Sequence, residues 1–159
     1  MRRFSFTWSG SAPHDLAQRL SRPIDRASVN IDEHGKPYAV TLWHSDGTGL
    51  RIRSRMCDIA ERCEVGVLDF SIVTSAVKDE KTVSFPAAFY SGTKASKLVV
   101  SESGVNAESG LILESSDGQE IVIVAGVFPY SLAISCLSST PHGFEPEYPL
   151  ETYTRVEIA

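Results

Sequence analysis

The chain has 159 residues, of which 42% are hydrophobic and 22% are charged. This length and composition predict a single globular domain, residues 1–159, that needs neither disulfides nor a metal ion to fold. No apolar run approaches the roughly 18 residues of a membrane-spanning helix. The N-terminal residues also lack the apolar core of a secretory signal. We therefore expect a cytoplasmic protein that does not contact a membrane.

The net charge of −5 is unevenly distributed along the chain. Residues 1–62 carry a net charge of +3, residues 63–97 are balanced, and residues 98–159 carry a net charge of −8. An acidic C-terminal third repels nucleic acid and attracts basic partners. The alternative interpretation is a solvated acidic surface that only keeps the protein in solution.

The N-terminal part predicts a strand, a helix and a second strand. Residues 3–8 alternate as a first strand. Ser11 and Pro13 are typical of a helix N-terminus, and the apolar positions that follow predict one short helix before Pro23. A short strand is expected over residues 28–31.

A hairpin is predicted next, with strands over residues 38–44 and 50–56. Arg51, Arg53 and Arg55 share one face of its second strand. This stripe suits phosphate or a carboxylate-rich surface, but we favour a solvent-facing strand whose arginines pair with acids on neighbouring strands. We therefore expect no nucleic-acid site.

Further along, we expect a helical turn over residues 57–62, a strand over residues 64–73 and a loop over residues 104–109. Short strands are also predicted over residues 82–85, 98–101, 132–134 and 152–158. Phe128 to Tyr130 predict a bend whose rings pack on the neighbouring strands. The tail from Phe144 has two prolines, so its first half should be extended.

The most distinctive stretch is residues 110–134, where two apolar runs flank Asp117-Gly118. A two-residue turn at this pair would set Ser116 opposite Gln119 and Ile112 opposite Ile123. Apolar residues on both faces predict strands in the middle of a sheet with both sides covered. The fold class is therefore α+β and mostly β: a largely antiparallel curled sheet or sandwich of about eight strands, with one or two short helices.

Few of the chemical groups form a recognisable site. Three cysteines at irregular spacing are read as free thiols, with a small chance that Cys57, Cys63 and His44 bind a metal ion. Tyr90 and Lys94 have the Tyr-x-x-x-Lys spacing of short-chain dehydrogenases. The glycine-rich turn that would hold a nicotinamide cofactor is missing, so we expect no catalytic residue, no cofactor and no enzyme activity. The alternative is a small β-rich enzyme or ligand-binding domain with a pocket near Trp43, His44 and Tyr90.

Acidic and aromatic residues combine in the C-terminal part. Aromatic anchors beside acids suit a surface that binds a basic protein; equally, the rings could only fix the tail to the sheet. The predicted protein-binding residues, which include two acids of the central hairpin, are Asp117, Glu120, Phe144, Glu145, Glu147, Tyr148 and Glu151.

Three stretches of the chain carry a resemblance. They are Asp-Gly-Thr-Gly-Leu-Arg-Ile at 46–52, Glu-Val-Gly-Val-Leu-Asp-Phe at 64–70, and the hairpin at 110–130 together with the tail at 144–153. Together they resemble small bacterial immunity proteins encoded beside polymorphic toxins, including those of contact-dependent growth inhibition systems. The resemblance implies a non-enzymatic toxin inhibitor, or antitoxin, that binds one cognate toxin domain, often a basic nuclease. We expect a monomer or a small homo-oligomer formed through edge strands.

Overall fold

The structure is a computed structural model, and it describes residues 1–8, 13–61, 63–76, 78–102, 104–137 and 144–158. One α-helix, α1, spans Pro13–Ser21. The described strands are β1 (Arg2–Phe4), β2 (Thr7–Trp8), β3 (Arg26–Ile31), β4 (Pro37–Trp43), β5 (Gly49–Ala60), β6 (Cys63–Val73), β7 (Glu80–Val83), β8 (Lys94–Glu102), β9 (Val105–Glu114), β10 (Glu120–Ala125), β11 (Leu132–Ile134) and β12 (Tyr153–Glu157). Short 3-10 helices cover Ala87–Ser91, Ser135–Leu137 and Leu150–Thr152. The prediction of a mostly β, α+β fold is confirmed, with twelve described strands rather than about eight.

The strands form two six-stranded sheets. The first has the order β11-β10-β9-β8-β12, and β1 pairs with the start of β9. The second has the order β2-β6-β5-β4-β3-β7. Neighbours are antiparallel except β1 with β9 and β2 with β6. The predicted strand over residues 3–8 is therefore two strands in different sheets, and the chain crosses between the sheets at Ser5 and Phe6.

The main apolar core draws on both sheets and on α1. Leu111 and Ile123 of the first sheet belong to the same buried cluster as Leu50 and Phe70 of the second sheet. Leu16 of α1 is buried in this cluster, and Pro13 is the first residue of the helix, as expected. The predicted cap, Ser11, lies outside the described residues.

A second cluster covers the opposite face of the first sheet. Ile112 and Val124 point away from the main core, because successive strand residues face opposite sides, and they pack in a cluster that includes Val65 and Val67 of β6. The prediction that the central hairpin is covered on both sides is therefore confirmed. Arg155 of the edge strand β12 contacts acids on β9 and β10, which requires a curled sheet.

The predicted register of the central hairpin is wrong by one residue. Glu114 pairs with Glu120, and Ile112 pairs with Val122 rather than Ile123. The Ser115 backbone N–H donates to Gln119 O, which leaves three loop residues, and Gly118 supplies the positive φ of 84°. Three-residue loops of this type also place glycine at the left-handed position, so an Asp-Gly pair does not distinguish the two registers.

Two further predictions of local structure are wrong. Residues 57–60 are strand rather than helical turn, because β5 keeps pairing with β6 up to Ala60. Residues 105–109 are strand rather than loop, because β9 pairs with both β8 and β1 there. Both elements are stabilised by partners distant in sequence, which local patterning does not report.

Candidate protein-binding surface

The acidic tail is fixed to the end of β10 by backbone hydrogen bonds. The Val127 N–H donates to Glu145 O at 3.0 Å, and the Glu147 N–H donates to Ala125 O at 2.9 Å. Pro146 lies opposite Gly126 in an isolated antiparallel bridge. The tail is extended here, as its prolines predicted. Its acids therefore lie beside the loop that follows β10.

That loop, residues 127–130, presents three large apolar side chains to solvent. The exposed fractions are 51% for Val127, 47% for Phe128 and 62% for Tyr130. The prediction that the Phe128 and Tyr130 rings pack on neighbouring strands is wrong. We call residues 127–130 the aromatic loop. Exposed apolar side chains grouped in this way are typical of protein-binding sites.

The aromatic loop is held in one conformation. The Gly126 N–H donates to Ser131 O at 2.8 Å, and both the N–H and the hydroxyl of Ser131 donate to Phe128 O. Tyr130 has a φ of 64°, a left-handed conformation that costs a non-glycine residue roughly 1–2 kcal/mol. A loop already ordered in the free protein loses less entropy when it binds.

Charged groups flank the loop on the tail side. Lys36 Nζ lies 4.0 Å from the centre of the Phe128 ring and 3.7 Å from a Glu145 carboxylate oxygen. Phe144 and Tyr148 are partly buried against the second apolar cluster, and the Tyr148 ring meets Tyr153 edge-on at 6.4 Å. These two predicted binding residues therefore anchor the tail, whereas Glu145 and the aromatic loop form the accessible surface.

Glu147 is partly buried beside β6. Its carboxylate accepts the Gly66 N–H at 3.1 Å. A Cβ atom at Gly66 would lie 2.4 Å from the Ala125 Cβ, so glycine is required for β6 and β10 to approach this closely. Burial raises the pKa of Glu147, and the hydrogen bond from Gly66 opposes that rise in part.

This raised pKa predicts that Glu147→Gln stabilises the protein at neutral pH. A folded-state pKa above the unfolded value means that the stability contributed by the group is present below about pH 4.5 and is lost as the pH rises through the folded pKa. Urea unfolding at pH 7 should show the variant more stable than the parent, and the difference should shrink towards pH 4. Glu151→Gln, at an exposed position, is the control. Its stability should equal that of the parent both at pH 7 and at pH 4. An unchanged or lower stability of Glu147→Gln at pH 7 would contradict the expectation.

The two predicted residues of the central hairpin lie at the other end of β10. Asp117 is exposed in the turn, and hydrogen bonds from Ser115 and Gln119 lower the pKa of its carboxyl. Glu120 is paired with Arg155 at 2.5 Å. Since β10 is about 17 Å long at the usual rise per strand residue, these acids do not share one surface with Glu145 and the aromatic loop. Glu151 is exposed in the 3-10 helix Leu150–Thr152, which directly precedes β12.

The arginines of the β5 stripe differ in their surroundings: Arg51 is half-buried, Arg53 is exposed and Arg55 is hydrogen-bonded within the fold. Arg55 donates to the Thr7 hydroxyl at 2.5 Å and to Ser5 O at 3.1 Å, so it fixes the crossing between the sheets. Arg53 is exposed opposite Asp69 of β6. The side chains therefore do not present a row of free guanidinium groups.

The residues proposed for an alternative pocket are largely enclosed. Trp43 donates from Nε1 to Ser28 Oγ at 3.0 Å and to Glu80 Oε1 at 2.9 Å. His44 Nδ1 lies 3.0 Å from Pro23 O, and the Tyr90 hydroxyl accepts the Phe85 N–H. A nearby cavity has a volume of only about 10 Å³. Among the described residues, no group of three His, Cys, Asp or Glu is placed to hold a metal ion.

Comparisons of the chain with protein-family models, with curated proteins and with solved structures find no match. In the part of the chain that the structure describes, no helix is long and apolar enough to cross a membrane. Sequence reasoning missed the aromatic loop as a binding surface, and it missed the ion pair between Lys97 of β8 and Glu108 of β9, at 2.6 Å. Three apolar residues around Pro129 were a usable signal for the loop.

Proposed function

We propose that this protein binds and neutralises a basic toxin domain, most simply a nuclease, by direct contact through the aromatic loop and the adjoining tail. The observation that carries the proposal is the group of exposed side chains of Val127, Phe128 and Tyr130, ordered in the free protein beside Glu145. Aromatic anchors supply most of the affinity of such interfaces. Acidic neighbours favour encounter with a basic partner.

The acidic balance of residues 98–159 supports the same type of partner. In the tail, the Glu145 side chain is 40% exposed and pairs with Lys36, and Glu151 is exposed without a described ion pair. Inhibition then requires no catalytic group on this chain, because covering the active site of the toxin is sufficient. The proposed place of action is the cytoplasm, where a toxin domain of this type would meet its substrate.

The direct test is binding to the product of the adjacent gene. Isothermal titration calorimetry should give a dissociation constant well below micromolar, and the toxin activity should fall in proportion to the complex formed. No binding at micromolar concentration, together with unimpaired activity of the neighbouring protein, would overturn the proposal.

Tyr130→Gly tests whether the aromatic loop is the binding surface. Glycine adopts the left-handed conformation without strain, so the variant should be more stable by roughly 0.5–1 kcal/mol. The same change removes an aromatic anchor and should weaken binding by ~30-fold or more, as for a hot-spot residue. Urea unfolding and calorimetry measure the two effects separately.

Val156→Ala is the matched control for this test. Val156 is an exposed apolar residue on β12, outside the aromatic loop, so its truncation should leave binding to the toxin unchanged. If Tyr130→Gly bound as tightly as the parent protein, the interface would have to lie elsewhere, even if the toxin itself were bound.

A further inference from the structure

Two adjoining cavities lie on one face of the first sheet. Their volumes are about 300 and 400 Å³, and both are lined by Arg3, Glu108 and Val156. The strand registers place Val99 opposite Glu108 and Lys97 opposite Val156. Because directly opposed residues share a face, β1, β8, β9 and β12 together form the floor. The larger cavity has a volume typical of small-molecule sites.

A β-bulge directs Glu108 towards these cavities. The pairing of β8 with β9 shifts so that Leu98 lies opposite Gly110 but Val99 lies opposite Glu108, which leaves Ser109 as the extra residue. Without this insertion, a serine rather than the glutamate would lie opposite Val99. Bulges commonly reorient a side chain beside a functional site.

Glu108 is 3% exposed, and each of its carboxylate oxygens accepts a hydrogen bond. Its Oε1 accepts the Phe6 N–H at 2.7 Å, and its Oε2 accepts from Lys97 Nζ at 2.6 Å. Burial of an ion pair generally does not increase stability over an apolar pair of similar size. This pair therefore calls for a role other than packing.

Arg3 has unused donors at the same place. Its Nη2 lies 3.9 Å from Glu108 Oε2, beyond hydrogen-bond distance, and its side chain is 72% exposed. In the described part of the chain it donates no hydrogen bond. Glu157, which also lines the larger cavity, is paired with Lys94 at 3.0 Å. Arg3, Lys97 and Glu108 together carry a charge of +1.

The walls of the larger cavity are mainly apolar. They are formed by Phe6, Trp8, Leu16 and Ile158. An occupant must therefore combine an apolar body with one negative charge near Arg3. A phosphate dianion would leave one charge unbalanced against the +1 of the site, whereas a carboxylate matches both this charge and the planar guanidinium of arginine.

We propose that this cavity binds a small amphipathic carboxylate. Its carboxylate pairs with Arg3 and with the remaining N–H donors of Lys97, and its aliphatic or aryl body lies against Phe6 and Trp8. Glu108 acts as a positioning residue, because it fixes Lys97 in the floor. None of these residues belongs to the aromatic loop or the tail, so the site is independent of the proposed toxin interface.

Octanoate is a suitable probe, with octanol and octylammonium as charge controls of the same length. The chain has two tryptophans, so a nitrogen–proton NMR spectrum shows two indole signals, which Trp8→Phe assigns. Octanoate should shift the Trp8 signal, with saturation at millimolar concentration or below, and leave the signal of the buried Trp43 unchanged. Octanol and octylammonium should bind at least ~10-fold more weakly, as expected for loss of a charged hydrogen bond.

Arg3→Gln should weaken octanoate binding by roughly 10-fold or more. Arg53→Gln, an exposed arginine on β5 outside the cavity, is the matched control and should bind like the parent. The proposal would be overturned if the three probes bound equally well, or if Arg3→Gln bound octanoate as tightly as the parent protein. It would also be overturned if the Trp8 signal did not shift at an octanoate concentration ten times above millimolar. Correct folding of each variant is verified in the same spectra.

Discussion

Phe70→Ala is expected to lower the free energy of unfolding by about 3–5 kcal/mol, the usual range for a buried phenylalanine. Phe70 is fully buried in the main core, and its ring centre lies 4.9 Å from that of Phe6. In the second sheet it pairs with Ile52 on one side and with Trp8 on the other. Truncation therefore leaves a cavity where the N-terminal segment crosses between the sheets, and neighbouring strands cannot close it.

Chemical denaturation followed by circular dichroism measures this loss. Phe128→Ala is the matched control, because it removes the same side chain from an exposed position. Phe128 is 47% exposed there, and its contact with Lys36 is worth at most about 1 kcal/mol. A loss below 1.5 kcal/mol for Phe70→Ala would show that this ring does not hold the two sheets together.

Much of the fold follows from local patterns in the sequence. Alternation in residues 50–56 identified β5, and apolar residues on both faces of residues 121–124 predicted the covered hairpin. The prolines of the tail predicted that its first half is extended. In each case the signal is carried by neighbouring residues and rests on strand periodicity or on the restricted backbone of proline.

The errors come from pairing and packing between distant segments. The hairpin register depends on one loop residue, and a shift by one moves every side chain to the other face. β1 is a strand only because it pairs with β9. Exposure of Phe128 and Tyr130 depends on the hydrogen bonds that hold their loop away from the sheet; the residues around Pro129 signal a loop, but not the direction in which its side chains point.

The binding residues show the same limit. Glu145 was predicted to lie on an interface from its acidic and aromatic neighbours in sequence. Glu108 has no such neighbours, since Lys97 is 11 residues away and the Phe6 N–H is 102 residues away. Only the sheet and its bulge bring these groups together. In the sequence, therefore, nothing distinguished Glu108 from the other acids of residues 98–159.

Glu108→Ala is the second change with a large expected effect, a loss of about 3 kcal/mol. It leaves the Phe6 N–H and the Lys97 ammonium without their acceptor in a site where Glu108 itself is 3% exposed. We expect the low end of the range for broken buried ion pairs, because the Lys97 side chain is 23% exposed and water can reach it. Urea unfolding of Glu108→Ala and the parent measures the loss, and a change below 1 kcal/mol would mean that the pair is not desolvated.

The double variant Glu108→Leu/Lys97→Met separates stability from binding. An apolar pair of similar size needs no desolvation of charge, so this variant should recover the part of the stability that Glu108→Ala loses at Lys97, although the Phe6 N–H still lacks its acceptor. It should nevertheless bind octanoate more weakly than the parent, because one of the two cations facing the ligand is gone. If the double variant recovered its stability and bound octanoate like the parent, the ion pair would contribute to stability but not to ligand binding. Arg3 would then be the one cation that contacts the ligand.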